Sequence, residues 1–163
     1  MQTNTHPSAQ PLAPEWHIAH WLNTPSPITL ESLRGKVVVM HAFQMLCPAC
    51  VSHGLPQASA VRQAFPESSV AVIGIHTVFE HHRVMNHEAL QVFVHEQRLR
   101  FPIGADMPAA DGPIPHTMAA YQLRGTPSVV LIDKQGRLRL SHFGHLNDLA
   151  LGAAIGQLLA ETG

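Results

Sequence analysis

The sequence predicts one α/β domain with a mixed central β-sheet and helices on both faces. Two runs rich in β-branched residues, 37–43 and 70–75, are typical of buried strands. A segment of helical length follows each run, and strands joined through helices should be parallel with right-handed crossovers. A later run, 128–132, leads through a tight turn into a second strand, which predicts an antiparallel hairpin.

The other elements are predicted in chain order from periodicity and from proline and glycine positions. Residues 16–22 form a short amphipathic stretch packed on the domain, and prolines 25 and 27 enforce extended backbone after it. The remaining predictions are a helix at 47–65 kinked at Pro56, a helix at 88–99, a short strand at 101–104, a loop at 105–115, a short helix at 117–123, a hairpin partner at 137–143 and a closing helix at 147–159.

Length and composition limit the classes of function. The 163 residues suffice for one domain, predicted at 15–163, after a polar, proline-rich tail at 1–14 that we expect to be disordered. The formal net charge of −1 implies no broad attraction to nucleic acid or to an anionic membrane. The sequence contains no run of membrane-spanning length and no secretory signal pattern, so we predict a cytoplasmic protein.

The chain has only two cysteines, Cys47 and Cys50, and they lie where a predicted strand meets a predicted helix. Unpaired amides and the helix dipole favour a thiolate at such a junction, with a pKa of roughly 7 or lower. Pro48 suits the first helical turn because its missing N–H would have no partner there. We therefore expect Cys47 to be the nucleophile and Cys50 the resolving thiol. The alternative is half of a zinc site, which histidines would have to complete because no second cysteine pair exists.

Thr126 and Pro127 give a second signal, because a proline at the start of a buried strand cannot donate to the sheet. A cis Thr126–Pro127 bond would place this loop beside the cysteines and leave the Thr126 backbone free to pair with a substrate strand. The alternative is an ordinary proline at the entry to a strand.

Segments 36–50, 126–127 and 133–136 together resemble the thioredoxin fold. More closely, the chain resembles the TlpA-like thiol-disulfide oxidoreductases. Segments 21–24, 33–38 and 72–77 resemble the subgroup found in DipZ-type and NHL-repeat proteins. The resemblance covers roughly residues 16–160. It implies a redox-active Cys47–Cys50 pair, a cis-Pro127 and electron exchange with a partner's disulfide or dithiol, without a cofactor. We expect the partner to contact Leu46, Pro48, Thr126 and Pro127.

The chain departs from the family pattern at three positions. Leu46 replaces the tryptophan that often precedes the first cysteine, and His41 stands where Asp or Asn is common. His53 takes the place of a frequent glutamate, although the interval to Pro56 is one residue longer and aligning from Pro56 puts Gly54 there. We expect His41, and with it His53, to take part in proton transfer, since a pKa near neutrality suits that role. The alternative for His41 is a core histidine bonded to backbone.

The leading function is a thiol-disulfide oxidoreductase acting on protein or small-molecule disulfides, with an unidentified electron donor. One alternative is a thiol peroxidase of the AhpC/TSA-like group, although Met40 and Gln44 occupy the proline and threonine positions of its Pro-x-x-x-Thr-x-x-Cys arrangement. The other is a metal-binding module that uses the cysteines and nearby histidines. The histidine-rich segment 76–95 matches no strong metal motif, so we predict no metal there; its connection at 76–87 is instead a solvated loop that leads into the helix at 88–99.

Overall fold

A computed structural model describes residues 10–162, and a six-stranded mixed sheet forms its centre, in the order β1-β4-β3-β2-β5-β6. The strands are β1 (Ile18–Leu22), β2 (Val37–Phe43), β3 (Val70–His76), β4 (Ile103–Asp106), β5 (Ser128–Ile132) and β6 (Leu138–Phe143). The helices are α1 (Leu55–Ala64), α2 (His87–Glu96), α3 (His116–Ala120) and α4 (Asp148–Ala160), with a 3-10 turn at Glu31–Leu33 and a π-turn at Cys50–Gly54.

Strand β2 lies at the centre and carries the chain to the cysteines. It pairs in parallel with β3 and antiparallel with β5, and every one of its side chains is buried. Val37, Val39 and Phe43 pack in the apolar layer on one face of the sheet, whereas Val38 and Met40 pack in the layer on the other. Alternate side chains of a strand point to opposite faces, so β2 joins both layers. The predicted fold class is confirmed.

The directions of the other strand pairs also agree with those predicted from the sequence. β3 pairs in parallel with β4, and β5 with β6 forms the predicted antiparallel hairpin. The amphipathic stretch at 16–22 is an edge strand, β1, paired antiparallel with β4. Helix α3 ends earlier than the sequence indicates, and the predicted strand at 101–104 is shifted to 103–106 because Pro102 cannot donate to the sheet and instead accepts from Gly74 N–H at 2.9 Å.

The predicted tail 1–14 differs from the structure over its last residues, while positions 1–9 lie outside the described residues. Leu12 forms a bridge with Arg137, and Ala13 N–H donates to Gly136 O at 2.9 Å. The Tyr121 hydroxyl donates to Pro14 O at 2.6 Å. Backbone pairing with the hairpin therefore fixes residues 10–14, a long-range contact that their composition does not reveal. In residues 10–162, no helix combines the length and the hydropathy needed to span a membrane.

Candidate active site

The two cysteines form a disulfide at the carboxyl end of β2, with their Cα atoms 5.2 Å apart. Cys47 follows the short loop after β2 and is half-buried, whereas Cys50 begins the π-turn and is 0% exposed. Cys50 N–H donates to Cys47 Sγ at 3.2 Å. A thiolate at Cys47 would be favoured by that amide and by the free N–H groups of a helix start. Only the sulfur of Cys47 is accessible to an incoming partner.

Gln44 and His76 hold the loop that precedes Cys47. The buried His76 ring accepts Met45 N–H at its Nε2, over 3.2 Å, and Cys47 N–H donates to Gln44 O at 3.1 Å. Gln44 Oε1 in turn accepts Phe79 N–H at 3.2 Å. Burial lowers the pKa of His76 to about 4, so at neutral pH its Nε2 keeps the lone pair that this bond requires. The sequence analysis assigned neither residue this role. The sequence feature that could have indicated it is that each polar residue directly follows the apolar end of a predicted strand.

The loop before β5 lies directly against the disulfide. The Thr126–Pro127 peptide bond is cis, and Thr126 O lies 3.6 Å from Cys47 Sγ. Gly144 N–H donates to Pro127 O at 2.8 Å, and the Ser128 hydroxyl donates to Gly125 O at 2.7 Å. These bonds anchor the loop on both sides of Thr126. The Thr126 N–H has no partner within residues 10–162.

His41 lies in the core, beside the π-turn that begins at Cys50. Its side chain is 2% exposed, and neither ring nitrogen has a hydrogen-bond partner in the part of the chain described. The alternative of a core histidine bonded to backbone is therefore wrong. Burial lowers the pKa of His41 to about 4, below the near-neutral value that we expected, because desolvation penalises the charged ring. At neutral pH the ring is uncharged and one of its nitrogens is free to accept a proton.

The π-turn decides which side chain faces His41. The predicted helix at 47–65 is confirmed as one unbroken helical run over 48–64, but its start is wound as the π-turn, which leads directly into α1 with Pro56 in the first turn of α1. Gly54 points inward: a Cβ built on it would lie 3.0 Å from Pro127 Cβ and 4.0 Å from His41 Nδ1. His53 is exposed, and its ring lies 4.8 Å from that of His145. A π-turn adds one residue to a helix, which is the longer interval visible in the sequence.

The other predicted contact residues lie beside Cys47 at the surface. Leu46 is 58% exposed, and Pro48 is exposed as well. An exposed leucine next to a reactive sulfur leaves apolar area for a partner to cover.

The histidine-rich segment contributes no metal centre to the described residues. Within 10–162, no group of three or more His, Cys, Asp or Glu side chains converges in a way that could hold a metal ion. His87 instead lies with its ring 4.2 Å from that of His20, and His82 Nε2 lies 3.0 Å from Pro113 O. The predicted loop at 76–87 is shorter at both ends, because His76 ends β3 and His87 begins α2.

Comparisons with known proteins agree with this geometry. The AhpC/TSA family matches residues 12–141. The crystal structure of a thioredoxin-like superfamily protein is 57% identical, with a TM-score of 0.92 over 93% of this chain and 98% of that one. The structure of a thiol-disulfide isomerase from Corynebacterium glutamicum is 49% identical, with a TM-score of 0.90 over 94% of this chain and 99% of that one.

A curated relative supports the predicted subgroup. Protein DipZ of Mycobacterium bovis is 33% identical over 148 residues, which are 89% of this chain and 20% of the relative. The chain thus spans about a fifth of the length of that relative. Family, fold and disulfide agree, and the chain belongs to the AhpC/TSA family, with a thioredoxin-like fold that carries the Cys47–Cys50 disulfide.

Proposed function

We propose that the chain reduces or exchanges partner disulfides through a reversible Cys47–Cys50 pair. In the reduced protein, the Cys47 thiolate attacks a partner disulfide, forms a mixed disulfide and releases one partner sulfur as a thiolate. Cys50 then loses its proton and attacks Cys47 Sγ, which releases the second partner sulfur. The partner gains two electrons and two protons, and the pair returns to the disulfide of the structure. A dithiol donor then reduces the Cys47–Cys50 disulfide and restores the two thiols.

The observation that carries this proposal is the unequal environment of the two sulfurs. Cys47 is half-buried and receives an amide N–H, whereas Cys50 is 0% exposed and one helical turn further on. A disulfide that served only as a staple would not need one sulfur open to solvent beside a free helix start. Nucleophilic attack at Cys47 and resolution by Cys50 fit this asymmetry.

A partner segment is proposed to dock on the loop at Thr126. The unpaired N–H and the carbonyl of Thr126 support backbone pairing with an extended chain, as in strand addition. Leu46 and Pro48 support contact on the other side of Cys47, because both are exposed. Pro127 is buried and contributes through the position of the loop.

His41 is proposed to accept the proton of Cys50 during resolution. Its neutral ring, unpaired nitrogens and position under the π-turn support that role. A pKa of about 4 makes the isolated ring a weak base, so the transfer requires the new thiolate to stabilise the imidazolium as an ion pair. His53 is exposed beside His145, so a proton that it carries would be exchanged with solvent.

Peroxide chemistry is less well supported than disulfide exchange. Gln44 occupies the position where the peroxidase arrangement has a threonine, and its side chain is bonded to Phe79 N–H and, at 3.4 Å, to Glu80 Oε1. It therefore presents no hydroxyl to Cys47. The donor dithiol and the cytoplasmic location that the sequence predicts both stay predictions.

Trapping of the mixed disulfide tests the proposal. Reduced Cys50→Ser protein is expected to accumulate a Cys47 adduct with a model disulfide such as hydroxyethyl disulfide, because no thiol remains to resolve it. Cys47→Ser is the matched control and should form adducts at least about 10-fold more slowly, since the Cys50 sulfur is buried. Intact-mass spectrometry gives both rates. Equal adduct formation by the two variants, or none by either, would overturn the assignment.

A further inference from the structure

We propose that Arg124 and Phe143 form a recognition site for an acidic residue of the partner segment that docks beside Cys47. This inference rests on the proposed function and adds a substrate preference to it. The partner is a protein segment in extended conformation that carries a carboxylate within about three residues of its reactive cysteine, the reach of extended chain at about 3.3 Å per residue.

Phe143 is an exposed aromatic fixed against the docking loop. It is the last residue of β6, lies opposite Ser128 and is 49% exposed. A Cβ built on Gly125 would lie 2.8 Å from the ring Cε2, so only glycine at 125 lets the ring lie against the backbone. Gly144, the next residue after Phe143, donates its N–H to Pro127 O. The ring therefore borders the loop from the solvent side.

Arg124 lies over that ring with its charge unpaired. Its Cζ is 5.8 Å from the Phe143 ring centroid, and the side chain is exposed. No carboxylate of the described residues lies within 4.0 Å of it. A guanidinium held over an aromatic face loses less freedom when it binds, and its planar fork matches a carboxylate. The pair is thus prepared for an acidic group.

Other polar groups at this end of the molecule leave Arg124 unpaired. The rings of His53 and His145 lie 4.8 Å apart, and these residues follow Cys50 by three positions and Phe143 by two. Two carboxylates near this end of the molecule accept hydrogen bonds from glutamine amides: Glu80 accepts from Gln44, and Asp148 accepts from Gln57 Nε2 at 2.8 Å. Neither carboxylate lies within 4.0 Å of Arg124, so the unpaired guanidinium itself is what favours an acidic partner.

Position along the loop brings Arg124 near the partner's cysteine. Arg124 precedes Thr126 by two residues, and Thr126 O is 3.6 Å from Cys47 Sγ. A segment paired with the Thr126 backbone places its cysteine at Cys47 and its nearby residues along positions 124–126. A carboxylate there would reach the guanidinium, whereas a lysine would be repelled by it.

Matched peptides test the inference. Three peptides differ only in having Glu, Gln or Lys two residues from a single cysteine, which is capped as a disulfide with thionitrobenzoate. A second set carries the variable residue on the other side of the cysteine. Release of the thiolate chromophore gives the second-order rate constant with reduced enzyme. At low salt we expect the better-placed Glu peptide to react about 5- to 10-fold faster than its Lys counterpart, the size of one modest ion pair.

Two variants and a control locate the preference. Arg124→Gln should reduce the Glu-to-Lys ratio to about 1, and Phe143→Leu should lower it in part because the ring no longer orients the guanidinium. Arg100→Gln is the control, since Arg100 is exposed and precedes β4 at the end of the sheet opposite Cys47. It should keep the wild-type ratio. About 200 mM salt should weaken the preference in the wild type, because exposed charges are screened.

The outcomes separate this inference from the proposed function. A wild-type enzyme that turns over hydroxyethyl disulfide but does not distinguish Glu from Lys on either side of the cysteine leaves the function standing and removes the recognition site. The same holds if Arg124→Gln keeps the full preference. If neither the peptides nor hydroxyethyl disulfide react, both proposals fail.

Discussion

At the scale of single residues, His41 is the most unusual feature of this site. A buried imidazole with two unpaired nitrogens costs stability, because its desolvation is not offset by hydrogen bonds. Other core positions of β2 hold apolar residues that carry no such cost. A destabilising polar group that faces the turn beginning at Cys50 is best explained by its chemistry.

Replacement of His41 should separate stability from activity. His41→Leu is expected to raise the free energy of unfolding of the oxidised protein by about 1–3 kcal/mol at pH 7, since an unsatisfied polar group is removed. The same change should slow resolution of the mixed disulfide. Denaturant unfolding and stopped-flow exchange measure the two effects. His95→Gln, on the exposed side of α2, is the control and should change neither.

The same variant should change the dependence of stability on pH. The folded pKa of His41 is about 4 against 6.5 for the free group, so the unfolded chain binds a proton first as the pH falls. Stability is therefore lost between pH 6.5 and 4, by up to about 3 kcal/mol for this residue. The free energy of unfolding of His41→Leu should therefore fall less over that range. Part of the fall remains, because the pKa of His76 is also lowered, whereas the raised pKa of Asp106 acts in the opposite direction. This account would be contradicted if His41→Leu were less stable than the wild type at pH 7 and its free energy of unfolding still fell as much between pH 6.5 and 4.

At the scale of elements, the π-turn at Cys50–Gly54 organises the inner side of the site. It places Gly54 between Pro127 and His41 and leaves His53 at the surface. The sequence shows the extra residue as a longer interval before Pro56. It does not show that this residue forms a π-turn, because π-turns have no characteristic amino-acid composition. The backbone of the turn thus determines that Gly54, and not His53, faces His41 and Pro127.

A methyl group at position 54 should disturb the docking loop. In Gly54→Ala the new Cβ would meet Pro127 Cβ at 3.0 Å, so Pro127 must move by a few tenths of an ångström. Alanine also favours the helix by about 1 kcal/mol, and stability should change little in total. Exchange with hydroxyethyl disulfide should slow about 10-fold or more, because small displacements at a reacting centre are costly.

Gly152→Ala is the matched control for that helical glycine. A Cβ on Gly152 in α4 meets nothing within 4 Å, so this variant should gain up to about 1 kcal/mol and exchange at the wild-type rate. Equal exchange rates in the two glycine variants would show that the contact with Pro127 does not matter.

At the scale of the whole molecule, local patterns predicted the fold, and long-range contacts supplied the rest. The β-branched runs of β2, β3 and β5 and the cysteine pair could be identified because each carries its own signal. The edge strand β1 and the ordered residues 10–14 could not, since both depend on backbone pairing with distant segments. Gln44 and His76 were missed as supports of the loop for the same reason: their partners lie more than thirty residues away.

The central claim is that the Cys47–Cys50 disulfide is redox-active and not a structural staple, and its reduction potential tests this most directly. Equilibration in thiol–disulfide buffers, followed by alkylation and mass spectrometry, gives the midpoint. We expect a two-electron transition between about −120 and −270 mV, the range of thioredoxin-fold oxidoreductases. A midpoint below about −300 mV, where structural disulfides lie, would contradict the account.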